Sequence, residues 1–132
     1  MTPAQITLVR DTWEQVLPIS DSAASLFYGK LFELDPELRK LFKADMQTQG
    51  RKLMAMIDTA VRGLGRVEIL RPALLDLGRR HTGYGVRPDD YATVAVALLW
   101  ALEQGLGEAF TSEVRQAWTE VYMILATTMQ SG

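Results

Sequence analysis

The chain has 132 residues, 48% of them hydrophobic, which suits a single domain spanning residues 1–132 with a substantial core. Its formal net charge is only −2, with acids and bases interspersed, which argues against a nucleic-acid face or a polybasic membrane patch. Cysteine is absent, so there is no disulfide, no thiolate metal site and no thioether-linked cofactor. The N-terminal stretch MTPAQITLVRD has no cationic segment leading into an apolar one, and so does not read as a secretory signal. The longest apolar run, Tyr91 to Leu102, is too short for a bilayer and suits a core helix. A soluble, cytoplasmic protein is the expectation.

The elements are helical nearly throughout. Thr2, Pro3 and Gln5 form the cap, first position and capping-box partner of a first helix, whose apolar stripe is Ile6, Val9, Trp13 and Val16. Pro18 ends it. A second helix restarts with Ser20 or Ser22 as cap and turns Ala23, Phe27, Leu31 and Leu34 to one side. Asp35 and Pro36 open a short, tight turn through DPELRKLF, and KADMQTQG reads as a loop running into a third helix. That helix carries Leu53, Ile57, Val61 and Leu64 and stops at GLGR. Leu70, Leu74, Leu77 and His81 then fall at helical spacing until TGYGVRP breaks the pattern. The helix from about Pro88 to Gln104 is apolar almost all round and is expected to be central. Thr111 caps a last helix that turns Val114, Trp118, Val121 and Leu125 inward. No stretch alternates with period two. The fold class is all-α with six or seven helices.

His81, in LGRRHTGYG, is the one histidine of the chain. It continues the Leu70–Leu74–Leu77 stripe, so it points toward the core near a helix end. One ring N–H can reach the Leu77 carbonyl, one turn back. For the other nitrogen two readings stand. It pairs with Tyr91, Tyr122 or a water, or it binds a metal. A protein-built zinc site needs three or four ligands, and the chain has neither a second histidine nor a cysteine. A cofactor bringing its own equatorial ligands needs only one histidine, and haem is such a cofactor.

With these residues in view the chain resembles a globin, and specifically the single-domain bacterial haemoglobins and the globin domains of flavohaemoglobins. The resemblance covers essentially the whole sequence. Pro36 and Phe42, six apart, match the short third helix of that fold and the phenylalanine that packs on haem. Tyr28 lies eight residues before Pro36, at the inward position of the preceding helix. Gln49 lies 32 residues before His81, matching the distal-to-proximal separation, and Leu53, one turn on, matches the apolar distal residue. Small residues at Ala24 and Gly50 suit a close crossing of the second and third helices.

The resemblance implies a globin fold and one non-covalent haem b. It implies His81 as iron ligand, with Leu77 fixing its ring and Phe42 and Leu53 lining the pocket. Lys52 and Arg80 stand where they could pair with the propionates, a role that a solvated face explains equally well. Tyr91, ten residues after His81, matches a proximal tyrosine. Its usual glutamate partner would fall just beyond Gly132, which puts the strong electron push of that family in doubt. The implied function is high-affinity binding of O2, and also of NO and CO, with Tyr28 and Gln49 donating to the ligand. One histidine excludes bis-histidine ligation within a monomer. Two alternatives remain: a nitric oxide dioxygenase served by a separate flavin reductase, and a haem-free globin-like sensor or interaction module. No nucleic-acid partner is expected, and the chain reads as a monomer or weak homodimer.

Overall fold

The computed structural model describes residues 1–43 and 45–131; Ala44, inside the stretch read as a loop, and Gly132 lie outside. Six α-helices follow one another: α1 (Pro3–Val16), α2 (Ser20–Leu34), α3 (Met46–Arg62), α4 (Val67–Gly83), α5 (Pro88–Leu106) and α6 (Ser112–Gln130). Short 3₁₀ turns at Leu17–Ile19, Pro36–Leu41, Leu64–Arg66 and Gly107–Ala109 lie in four of the five connections, α4 passing to α5 through residues 84–87 without one, and there is no strand among the described residues. No helix there is long and apolar enough to cross a membrane.

The helix ends follow from local chemistry. Thr2 and Gln5 form a reciprocal capping box, at 3.1 and 2.9 Å, and Pro3 opens α1. Asp35 accepts from the Glu37 N–H and starts the turn at Pro36. Thr111 caps α6 through the Val114 N–H. Neither Ser20 nor Ser22 caps α2. The turn at Leu17–Ile19 runs straight into the helix, the Ser20 N–H donates to Leu17, and Ile19 occupies the cap position without a side-chain bond. α3 also starts earlier than the loop reading of KADMQTQG allows. The Asp45 carboxylate accepts from the Thr48 N–H at 3.1 Å and from its hydroxyl at 3.2 Å, so the helix begins at Met46 and Gln49 stands on its first turn.

The core lies where α1, α3, α5 and α6 meet, around Trp13, Ile57, Leu102 and Trp118. Its two indoles are both bonded. Trp13 donates to Asp58 at 2.9 Å and Trp118 to the Thr12 hydroxyl at 2.9 Å, which ties α1 to α3 and to α6. The hydrogen bond from Trp13, with Arg62 beside it, holds the Asp58 carboxyl below the usual carboxylate range. A second cluster of Phe27, Tyr28, Leu31, Leu38, Ala97 and Ala101 joins α2 to α5. α5 is central only along its Ala97, Ala101 and Leu102 side. Val96, on another face of the same apolar helix, is 53% exposed, so an apolar circumference did not bring full burial. α4 packs chiefly on α6.

Candidate functional site

His81 stands in the last turn of α4 and is half-buried. Its Nδ1–H donates to the Leu77 carbonyl at 2.8 Å. A carbonyl can only accept, so this bond fixes the tautomer and leaves a lone pair on Nε2. Among the described residues no side chain hydrogen-bonds Nε2. Desolvation lowers the pKa of the imidazole, a shift that the Leu77 bond opposes and the nearby Arg80 charge reinforces. The rings of Tyr84 and Tyr91 lie 6.4 and 6.5 Å from the imidazole centroid. The Tyr122 hydroxyl donates to the Tyr91 carbonyl at 2.6 Å, so it does not serve the histidine.

Tyr28 stands on α2 and is 8% exposed. Burial pushes its phenol up to about 12, so it remains an O–H donor across the neutral range. No protein group among the described residues takes that hydrogen bond. The ring is packed by Phe27, at 4.9 Å between centroids, by Phe42 at 5.3 Å and by Phe32 at 6.0 Å. Phe32, one turn after Tyr28, lies outside the Ala23–Phe27–Leu31–Leu34 stripe, and its i+4 spacing from Tyr28 is the signal in the sequence that places it here.

Phe42 ends the Pro36–Leu41 turn and is half-buried against this aromatic cluster. Leu53, half-buried on α3, borders both core clusters. Gln49 is half-buried one turn before it, and among the described residues none hydrogen-bonds its side-chain amide. The crossing of α2 and α3 is close: a Cβ on Gly50 would stand 3.0 Å from that of Ala24. α5 links the two halves of the site. Its Tyr91 lies beside His81, while Ala97, six residues or about 9 Å further along, packs with Phe27 and Tyr28. Lys52 and Arg80 are exposed, and Arg80 pairs with Asp76 at 3.2 Å.

These residues fit a haem. Its iron needs a neutral imidazole nitrogen, oriented and without a protein partner, and Nε2 of His81 is one. Its faces need apolar and aromatic side chains, which Phe42, Leu53 and Leu77 present half-buried. No group of three or more acidic or histidine side chains among the described residues is placed to hold a bare metal ion instead.

The six helices of the described residues, with the lone histidine held by its own helix, match the globin fold. The Globin family model matches residues 25–129, and the chain belongs to that family. It is 33% identical to neuroglobin of Tetraodon nigroviridis over 95% of this chain and 87% of that protein. It is 32% identical to a flavohemoprotein of Xylella fastidiosa over 98% of this chain but only 33% of that protein. Among solved structures, an engineered carbene transferase made from RmaNOD, assigned as a nitric oxide dioxygenase of Rhodothermus marinus, superposes with a TM-score of 0.89. That match has 27% identity and covers 99% of this chain and 92% of the other. Membership of this family implies haem binding.

Proposed function

We propose that this globin binds O2, NO and CO at a non-covalent haem b held by Nε2 of His81. The observation that carries this reading is the Nδ1–H bond to Leu77 at 2.8 Å, which presents Nε2 as a fixed, neutral ligand. Haem, when bound, would supply an iron that can take a diatomic gas. Every other role falls to the chain. Phe42, Leu53 and Leu77 exclude water and pack the macrocycle. Tyr28 donates its phenolic hydrogen to a gas carrying partial negative charge, and Gln49 donates an amide hydrogen beside it. A hydrogen bond to such charge, shielded from water, contributes roughly 1–3 kcal/mol. About 1.4 kcal/mol is tenfold in affinity. Two donors therefore favour tight, slowly released O2. Tyr91 packs near the proximal imidazole, and Lys52 and Arg80 provide positive charge outside.

The purified protein should show a Soret band in ferric, ferrous and CO-bound forms, with one haem per chain. His81→Ala should purify largely without haem and melt lower. A normal band in that variant removes His81 from the ligand position. A wild-type chain that takes up no haem supports the haem-free sensor or interaction module instead.

A second reading is favoured by the RmaNOD likeness and by the flavohemoprotein: conversion of NO and O2 to nitrate. Each turnover then needs one electron, for which a separate flavin reductase is the partner. NO consumption by the haem-loaded chain, measured with and without such a reductase and its reduced cofactor, decides between storage and turnover.

A further inference from the structure

We infer that Gly78 is a positioning residue that sets where His81 stands, by letting α4 rest directly on the backbone of α6. The inference rests on the haem reading of His81. Gly78 is buried in α4 with ordinary helical backbone angles, so it is needed for space rather than for conformation. A Cβ built on it would lie 1.9 Å from the Met129 carbonyl oxygen and 2.6 Å from the carbonyl carbon. That is roughly 1.4 Å short of the ~3.3 Å at which a carbon ordinarily meets a carbonyl oxygen. The obstacle is main chain, so no side-chain rotation relieves it.

The face of α4 that carries this contact also carries buried Leu74, one turn before, and Thr82, one turn after, whose hydroxyl donates to the Gly78 carbonyl at 3.1 Å. Leu77 and His81 lie on the adjoining face. His81 is three residues past Gly78, about 4.5 Å along the axis. Its ring is tied to that same helix through Leu77, and its carbonyl accepts from the Tyr84 and Val86 N–H groups at 3.1 and 3.0 Å. The imidazole therefore has little freedom of its own and travels with α4. Met129 belongs to the last turn of α6, where carbonyls lack intrahelical partners and remain free to face a neighbour. The height of α4 above that carbonyl is thus the height of Nε2.

The test uses the haem-loaded chain with Gly78→Ala, a chain ending at Thr128 that lacks the Met129 carbonyl, and the two changes combined. An imidazole moved from its place would hold a haem iron less strongly. In Gly78→Ala, the resonance Raman iron–histidine band should fall and haem should dissociate about tenfold faster, the change that ~1.4 kcal/mol makes. The combined variant should be shifted beyond the shortened chain by much less than Gly78→Ala shifts the full chain, because the main-chain atoms nearest the added methyl are then gone. Such non-additivity separates this contact from general loss of stability. If Gly78→Ala folds poorly, the shortened chain still reports, through a shifted or broadened band. An unmoved band in both single variants overturns the proposal, as does strict additivity. Failure of the haem reading is told apart by the wild-type spectrum. In that event the imidazole NMR signals of the single histidine, in the haem-free chain, must still move with Gly78→Ala, and unmoved signals overturn the positioning role.

Discussion

The imidazole of His81 and the carbonyl of Leu77 are joined by a 2.8 Å hydrogen bond within one helical turn. The bond costs the fold no long-range contact, since both partners belong to α4. It leaves Nε2 with its lone pair whatever the rest of the molecule does, and orients it before any cofactor arrives. Desolvation also keeps this nitrogen unprotonated at lower pH than a free histidine would be.

The haem-free chain should therefore lose stability in acid through His81. Its folded pKa lies below that of the unfolded chain, so the unfolded state binds more protons between the two values. The contribution is whole above about pH 6.5 and is lost as pH falls from there toward the folded pKa. Urea midpoints for wild type and His81→Gln across this range test it. The wild-type midpoint should fall more steeply with acid. Parallel curves would mean that the histidine pays no penalty for burial.

Removing the Tyr28 hydroxyl should speed O2 release. Tyr28→Phe keeps the ring among Phe27, Phe32 and Phe42 and deletes one donor. Stopped-flow displacement of O2 by CO should show release roughly ten- to a hundred-fold faster, for a lost bond of about 1.5–3 kcal/mol. CO release should change much less, and Gln49→Leu should act in the same direction at smaller amplitude. With a phenol pKa of about 12, the wild-type rate should be flat from neutral pH well into the alkaline range. Equal O2 release from wild type and Tyr28→Phe would exclude Tyr28 from ligand binding.

Neutralising Lys52 or Arg80 should leave O2 affinity nearly unchanged. Both are exposed, and the Arg80–Asp76 pair is more than half open to solvent on each side. An exposed pair of this kind contributes at most about 1 kcal/mol. Haem retention in low salt is the property to measure for a small effect. A large change in O2 release would give either residue a role beyond the rim.

Widening Gly50 should push α3 off α2. With 3.0 Å available to the Ala24 Cβ, Gly50→Val has to shift a helix, and overpacking of this kind costs about 1–3 kcal/mol. Thermal unfolding should show the loss, and adding Ala24→Gly should recover part of it. No recovery would place the strain somewhere other than this crossing.

The helices were legible because each shows its apolar face at a spacing of three and four, and because Thr2, Asp35 and Thr111 are caps with a local mechanism and Pro36 opens the turn that Asp35 caps. Where an end depends on what precedes it, the sequence said less. Pro18 marks a break, yet it leads through a 3₁₀ turn into α2, so that Ile19 rather than a serine takes the cap position. The Leu77 bond to His81 could be anticipated because it is one turn long. The close crossing at Ala24 and Gly50 could be anticipated because both residues are small. Gly78 gave no such sign. Its meaning lies in the Met129 carbonyl, 51 residues away, which no periodicity connects to it.

The paired indoles of the core have an optical consequence. Trp13 and Trp118 stand 6.0 Å apart between ring centroids and are each 2% exposed, whereas Trp100 is half-buried beneath the Lys30 ammonium. Two of the three emitters thus sit in a dry environment and close enough to exchange excitation. Their emission should be blue-shifted in the native chain, move to the red on unfolding, and be extinguished by any chromophore in the fold that absorbs in the near ultraviolet. The protein carries its own fluorescent gauge of both folding and cofactor occupancy, readable without a label.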